Sequence, residues 1–434
     1  MERRRMRELC AWKTSADRKP LLIRGARQVG KTWLMKEFGR QYFENTVYIN
    51  FDENKRFGNI FRDNIQPERI LTLLSAETGI RPEPEKTLII FDEIQESPRA
   101  LTSLKYFCEE APEYAIVAAG SFLGIALHPG TSFPVGKVNT LTLDPLSYPE
   151  FLCALGEERF ADLLQSGDAE MIGTFKDLYM ERLREYYYVG GMPEAVRTFA
   201  EAKDFSRVRQ VQRDLLDLYQ QDFSKHAETA LIPRLNQVWQ SVPAQLAKEN
   251  RKFIYGQVRE GARAKDFELA LQWLQDCGLI CKVPCVKKPG LPLTAYAELS
   301  VFKVFFLDVG LLGAMSGLPL QAVLEGNRVF TEFKGALTEQ YVFQQLHGSH
   351  FGEIFYFAEG NSRCEVDFLL SDGERILPLE VKAEENLRAK SLRSYYDKFA
   401  PEHCFRTSMS DLREQDWITN IPLYRIGDFP AAFC

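Results

Sequence analysis

The sequence is 434 residues long, 45% hydrophobic and 26% charged, which is ordinary for a globular protein and enough for two or three domains. Its 31 Phe and 17 Tyr supply material for sizeable cores. With 54 Lys and Arg against 60 Asp and Glu, the formal charge of -6 excludes a globally basic nucleic-acid binder, though not a local basic face.

No apolar run approaches the roughly eighteen residues that a membrane-spanning helix needs, so no membrane partner is expected. The opening residues Met1-Glu2-Arg3-Arg4-Arg5-Met6 are charged and lack the apolar stretch of a secretion signal, which points to a cytoplasmic location. The nine cysteines, an odd number, read as reduced thiols rather than a disulfide framework. Cys277, Cys281 and Cys285 are evenly spaced, but no fourth ligand lies near them, and a structural role is expected over a metal site.

Residues 1–19 read as a helix and a turn. Pro20-Leu21-Leu22-Ile23 follows as a short buried strand, and Trp33-Leu34-Met35-Lys36-Glu37-Phe38 opens a helix. Between them stands Gly25-Ala26-Arg27-Gln28-Val29-Gly30-Lys31-Thr32, a G-x-x-x-x-G-K-T sequence in the strand–loop–helix setting of a phosphate-binding loop. The glycines let successive amides point inward at phosphate oxygens, and the helix start adds partial positive charge. Gly25 through Trp33 are therefore the expected nucleotide contacts. Lys31 reaches the outer phosphates and the Thr32 hydroxyl holds Mg²⁺, so ATP and Mg²⁺ are the expected cofactors.

Thr46-Val47-Tyr48-Ile49-Asn50-Phe51 is the next strand, and a polar helical stretch follows. Thr87-Leu88-Ile89-Ile90-Phe91-Asp92-Glu93 then fits a strand buried on both faces of a parallel sheet. Asp92 and Glu93 fall at its carboxyl end, where open α/β sheets bind ligands. Asp92 can hold the Mg²⁺, and Glu93 can orient or deprotonate the attacking water. Ala115-Ile116-Val117-Ala118-Ala119-Gly120-Ser121 is a further buried strand; Ser121 either senses the γ-phosphate or caps a helix.

These residues, with Phe91-Asp92-Glu93-Ile94-Gln95, Gly120-Ser121, Leu143 to Leu152 and Gly190-Gly191-Met192-Pro193-Glu194, resemble a prokaryotic group of AAA-type ATPases that carry a C-terminal domain of uncharacterised function. The resemblance covers nearly the whole chain. It implies a P-loop core over residues 1–145 and a helical lid over 146–230. AAA-type relatives often assemble, so a homo-oligomer is a further expected partner. Where the group usually has Gly-Arg, this chain has Gly136-Lys137, which keeps the charge but not the bidentate fork.

In the middle, Phe151-Leu152, Ile172 to Tyr188 and Val208 to Phe223 show apolar residues at helical spacing. Residues 231–324 read as a winged-helix-like part: Phe267, Ala270, Leu271, Leu274 and Cys277 share a helix face, and Leu279-Ile280-Cys281-Lys282-Val283 opens a hairpin. Arg259, Arg263, Lys265 and Gln272 are its candidates for DNA contact, while such modules also serve as protein-contact surfaces.

Residues 325–434 carry a second constellation. A helix from Phe333 to Leu346 with Glu339, strands at Ile354–Phe357, Glu365–Leu370 and Ile376–Lys382, and a helix from Ser391 to Phe399 give an order that resembles the restriction-endonuclease fold. Glu380 and Lys382 are two apart on a strand and share a face, which Asp367 on the neighbouring strand can approach. Glu339, Asp367 and Glu380 can then ligate a metal, with Lys382 stabilising charge at a phosphodiester. Arg388, Lys390, Arg393 and Lys398 are candidates for backbone contact. The fold class expected is thus α/β: an AAA-type core with helical lid, a winged-helix-like middle and a restriction-endonuclease-like end. The expected function is a Mg-dependent ATPase acting on DNA, whose C-terminal domain either cleaves nucleic acid or keeps the carboxylates and acts only as a clamp. The alternative is an ATP-driven switch of protein partners with an inert C-terminal domain.

Overall fold

A computed structural model describes residues 3–54, 56–62, 64–120, 134–247, 252–324, 331–359, 364–385 and 389–433. Ser121 and Arg388 lie outside the described residues. The chain divides into two compact units, one of Glu2–Asp144 with Asp276–Gly278 and one of Pro145–Gln275 with Leu279–Cys434. Among the described residues no helix is long and apolar enough to cross a membrane.

The first unit is built on five strands: β1 (Leu21–Arg24), β2 (Asn45–Asn50), β3 (Thr87–Asp92), β4 (Ala115–Ala119) and β5 (Asn139–Thr142). They pair in parallel in the order β2-β3-β4-β1-β5. Parallel neighbours need crossover connections, which the helices Lys31–Tyr42, Pro67–Thr78 and Pro98–Glu110 supply. Every residue of β3 is buried, as its uninterrupted apolar run requires in a sheet covered on both faces. Phe51, Phe61 and Phe91 meet edge to face at 5.6, 5.8 and 5.5 Å between centroids, fixing the end of β3 against its neighbours. The strand stops at Asp92; Glu93 has φ 50° and begins a tight turn over Ile94–Glu96. Asp92 and Glu93 are thus separated by a backbone reversal of hand, not by strand alternation.

The second unit begins with helices, among them Tyr148–Ala154, Lys176–Val189, Phe205–His226 and Ile232–Leu246. The stretch of helical spacing from Ile172 to Tyr188 falls in two helices, Ala169–Thr174 and Lys176–Val189. Asp168 caps the first by accepting from the Glu170 and Met171 N–H groups, and the Phe175 ring at the break packs edge-on to Phe160 at 5.2 Å.

Its sheet has strands β6 (Ile280–Val286), β7 (Ala297–Phe306), β8 (Phe355–Ala358), β9 (Glu365–Ser371), β10 (Ile376–Val381), β11 (Cys404–Ser408), β12 (Arg413–Gln415) and β13 (Ile418–Pro422). The order is β12-β13-β11-β10-β9-β8-β6-β7. The hairpin read as a wing, β6 with β7, is therefore continuous with the C-terminal strands, because β6 pairs in parallel with β8 at Cys285 with Tyr356 and Val286 with Phe357. Apart from Asp276–Gly278, the segments 146–230, 231–324 and 325–434 fall within this one unit.

A long helix, Thr331–Ser349, carries a row of buried amides. Gln344 donates to Asp308 Oδ2 at 3.0 Å and Gln340 pairs with both backbone groups of Phe306. Asp308 also accepts from Gly191 N at 2.6 Å and Leu311 N at 3.0 Å. Burial pushes the Asp308 carboxyl up against the pull of these donors. A buried polar network satisfied to this degree fixes one arrangement of the helices it joins.

Candidate functional sites

The phosphate-loop residues sit between β1 and the helix Lys31–Tyr42. Gly25 has φ 154°, and a Cβ there would meet the Leu143 carbonyl oxygen at 2.3 Å; only glycine lets β1 turn this close to the chain leaving β5. Gly30, at φ 97°, turns the chain into the helix. From the rear, the buried Arg3 donates to Val29 O at 3.2 Å and Asp144 O at 2.5 Å, a brace that the charged N-terminal run did not disclose. Ala26 and Val29 are buried, Arg27 is half-buried, Gln28 is exposed and Trp33 is 42% exposed.

Lys31 points back into its own loop, donating to Gly25 O at 3.0 Å and Ala26 O at 2.9 Å. Burial lowers its ammonium to about 8, opposed by the nearby Glu93 and Asp92. The Thr32 hydroxyl donates to Asp92 Oδ2 at 2.6 Å. Tyr48, on β2, donates to the same oxygen at 2.9 Å, and Asp92 Oδ1 accepts from Glu93 N at 3.1 Å. Glu93 is held by Gln95 Nε2 at 2.6 Å. The sequence reading named Lys31, Thr32, Asp92 and Glu93 but missed Tyr48 and Gln95 as their partners. A hydroxyl alternating with apolar residues on β2 was the available signal for Tyr48. Lys137 pairs with Glu109 at 2.9 Å on the surface.

A hydroxyl and a carboxylate are the hard oxygen donors that suit Mg²⁺. The residues present therefore fit the metal: the Thr32 hydroxyl and Asp92 carboxylate already share one contact, and a charged lysine lies in the same loop.

The second constellation is also assembled, with an addition. Glu339 comes from the helix Thr331–Ser349, Glu365 and Asp367 from β9, Glu380 from β10, and Lys382 from just beyond it. Into them projects Lys303 of β7, fully buried, at 3.1 Å from Glu339, 2.7 Å from Glu365 and 3.9 Å from Asp367. Its ammonium also lies 4.8 Å from the Tyr356 ring centroid. Asp367 Oδ2 accepts from Val381 N at 2.8 Å, and Lys382 donates to Glu380 Oε1 at 2.5 Å. Burial, then the nearby Asp367, push the Glu380 carboxyl up to about 7. Sequence reasoning missed Lys303 because it lies on a strand assigned to another domain. Among the described residues no three His, Cys, Asp or Glu side chains are grouped so as to hold a metal ion. That includes Cys281, whose thiol lies 4.0 Å from His347 Nε2, and Cys285, whose thiol faces the Ala358 carbonyl at 3.9 Å.

Residues 17–152 match the sequence model of a family described as AAA domain. The matched stretch includes the phosphate loop from Gly25 to Thr32 and the Asp92–Glu93 pair. Residues 180–322 and 334–426 match two families described as domains of unknown function, DUF8612 and DUF4143. No curated protein matches the chain. Similar solved structures include the Walker-type ATPase PABY2304 of Pyrococcus abyssi, 15% identical over 72% of this chain and 94% of that one, with a TM-score of 0.45. They also include the Orc1 protein of Aeropyrum pernix in complex with DNA (14%, 75% and 95%, 0.28) and Cdc6p of Pyrobaculum aerophilum (12%, 71% and 88%, 0.24).

Proposed function

We propose that the chain hydrolyses ATP with Mg²⁺ and works as an ATP-driven switch acting on partner proteins. One observation carries the chemistry: the Thr32 hydroxyl and Asp92 carboxylate converge at 2.6 Å beside a loop whose lysine bonds its own carbonyls. Those carbonyl contacts are exchangeable, so Lys31 can turn to the outer phosphates of a nucleotide. Loop amides from Gly25 to Trp33 wrap the triphosphate, Thr32 and Asp92 hold the metal, and Glu93 orients or deprotonates the water. Bound Mg²⁺ neutralises charge on the outer phosphates. Ser121 keeps both of its expected roles, as a γ-phosphate sensor or a helix cap.

Radiolabelled ATP tests this directly. The native chain with Mg²⁺ should bind and turn over ATP, Lys31→Ala should bind none, and Glu93→Gln should bind without turnover. A native chain with no affinity for any nucleoside triphosphate overturns the reading.

A second observation bears on the C-terminal part. Lys303 pairs with Glu339 at 3.1 Å and Asp367 at 3.9 Å, two of the three carboxylates that a nuclease would use for metal, which favours a non-cleaving domain over Mg-dependent cleavage by Glu339, Asp367, Glu380 and Lys382. The DNA-acting reading keeps support from exposed Arg259, Arg263 and Lys265 around the start of the helix Ala264–Asp276. DNA that both binds at low salt and accelerates ATP turnover would move the proposal to that reading. Light scattering with and without ATP tests the assembly that the family resemblance implies.

A further inference from the structure

The acidic cluster of the second unit has an occupant supplied by the chain itself. We infer that the Lys303 ammonium is the resident cation of this cluster, that it holds Glu339, Glu365 and Asp367 around itself in an arrangement not grouped for a metal ion, and that the cluster closes on a divalent ion only when the ammonium is removed. The inference deepens, and rests on, the reading of the C-terminal part as non-cleaving.

Three elements converge on one point. Lys303 stands on β7 opposite Val283 and bridges to Lys252, so its backbone is fixed on both sides. Its Nζ reaches Glu339 Oε1 at 3.1 Å and Glu365 Oε1 at 2.7 Å, with Asp367 Oδ1 at 3.9 Å. Both Lys303 and Glu339 are fully buried. An ammonium removed from water persists only where carboxylates compensate it, and buried carboxylates persist only beside a cation. Each therefore requires the other.

The remaining groups hold the carboxylates in place. Asp367 is oriented by Val381 N at 2.8 Å, and Glu380 is paired with Lys382 at 2.5 Å. A divalent ion would bind these same oxygens at about 2.0–2.6 Å, inside the shell that the ammonium now fills. The two cations exclude one another by space and by like charge. A lysine built into a strand cannot leave as a metal ion can, so the cluster's charge is balanced permanently and at every metal concentration.

Mn²⁺ binding to the full-length chain without nucleotide, read by electron paramagnetic resonance, tests this. The native chain and Asp367→Asn should bind the same number of Mn²⁺ ions. Lys303→Met should gain one ion per chain, and Lys303→Met/Asp367→Asn should lose it again. Lys303→Arg, which keeps the charge, should gain none. The inference falls if native Mn²⁺ binding drops in Asp367→Asn, if folded Lys303→Met gains nothing, or if Lys303→Arg gains an ion. Should Lys303→Met not fold, the native, Asp367→Asn and Lys303→Arg comparison still decides. A cleavage assay separates the two claims. Mn²⁺-dependent DNA cutting by the native chain that Asp367→Asn abolishes overturns both the non-cleaving reading and this inference. Cluster-bound Mn²⁺ without cutting overturns the inference alone.

Discussion

Lys31 and Lys303 are both buried lysines beside carboxylates, and their surroundings hold them in opposite ways. Lys31 is bonded to two backbone carbonyls of its own loop, with Asp92 and Glu93 acting at longer range. Lys303 is bonded to carboxylates drawn from a helix and another strand. Carbonyl partners are neutral and local, so a phosphate can replace them at little cost. Carboxylate partners are charged and desolvated, so breaking them leaves uncompensated charge behind. Similar residue types thus make an exchangeable ligand site in one unit and a closed structural pair in the other.

Removing each lysine is the largest test of that contrast. Lys31→Ala should abolish ATP turnover while leaving the denaturation midpoint near that of the native chain, because the lost charge is already disfavoured by burial. Lys303→Ala should keep the phosphate loop intact but destabilise the second unit by ~3–5 kcal/mol, as loss of one partner of a buried ion pair does. Urea unfolding with a parallel turnover assay checks both. Equal stability losses in the two variants, or lost turnover in folded Lys303→Ala, would break the comparison. Glu93→Gln should lower kcat by ~10²–10⁴ with binding retained, the range for a positioned general base.

The titrations sharpen it. Glu380 is raised to about 7, above the ~4.3 of an unfolded glutamate, so its folded form favours the proton. Its contribution is then fully present below about pH 4.3 and is lost as pH rises towards 7. Relative to Glu380→Gln, the native chain should lose stability across that window in pH-dependent unfolding; a flat difference would remove the raised carboxyl from the account. Lys31, lowered to about 8, works the other way on ligand binding. Its charge meets phosphate, so nucleotide affinity should weaken as pH climbs above about 8, and Lys31→Arg, if it binds, should flatten that fall.

The phosphate loop, β3 and the residue types of the second constellation were legible because each is a local pattern. Gly25 and Gly30 meet backbone demands set within a few residues, and the β3 run announces its own burial. What stayed hidden depends on distant pairing. Lys303 reads as one charge on a half-polar strand until β6 pairs with β8 and brings β7 to the carboxylates. The join of the hairpin to the C-terminal strands was invisible for the same reason: Cys285 and Tyr356 meet across a long helix. The strands β11 and β13 passed unread although both are wholly buried, since Thr407 and Asn420 interrupt the apolar signal, and the Arg406 and Ser408 donors that Asn420 meets come only with the pairing. Glu93 looked like a strand residue, and only the turn after Asp92 shows it leaving β3 with φ 50°.

The smallest expected effect lies at Tyr48, where the two kinds of site meet on one oxygen. Tyr48 and Thr32 both donate to Asp92 Oδ2, at 2.9 and 2.6 Å. Thr32 must leave that contact to share a metal with Asp92, whereas Tyr48 can stay and hold the carboxylate in place. Burial, then the Asp92 charge, push the Tyr48 phenol well above its ordinary value, so it remains a neutral donor at any working pH. Tyr48→Phe removes only the hydroxyl; the ring under the Lys36 ammonium, 3.7 Å away, is kept. A neutral hydrogen bond is worth about 0.5–1.5 kcal/mol, so the Mg²⁺ concentration for half-maximal turnover should rise roughly two- to tenfold, with the fold unchanged. Tyr48→Ala should raise it further by also freeing Lys36. An Mg²⁺ dependence identical in Tyr48→Phe and the native chain would mean that Asp92 is positioned by β3 alone, and that the hydroxyl serves only to satisfy a buried oxygen before nucleotide arrives.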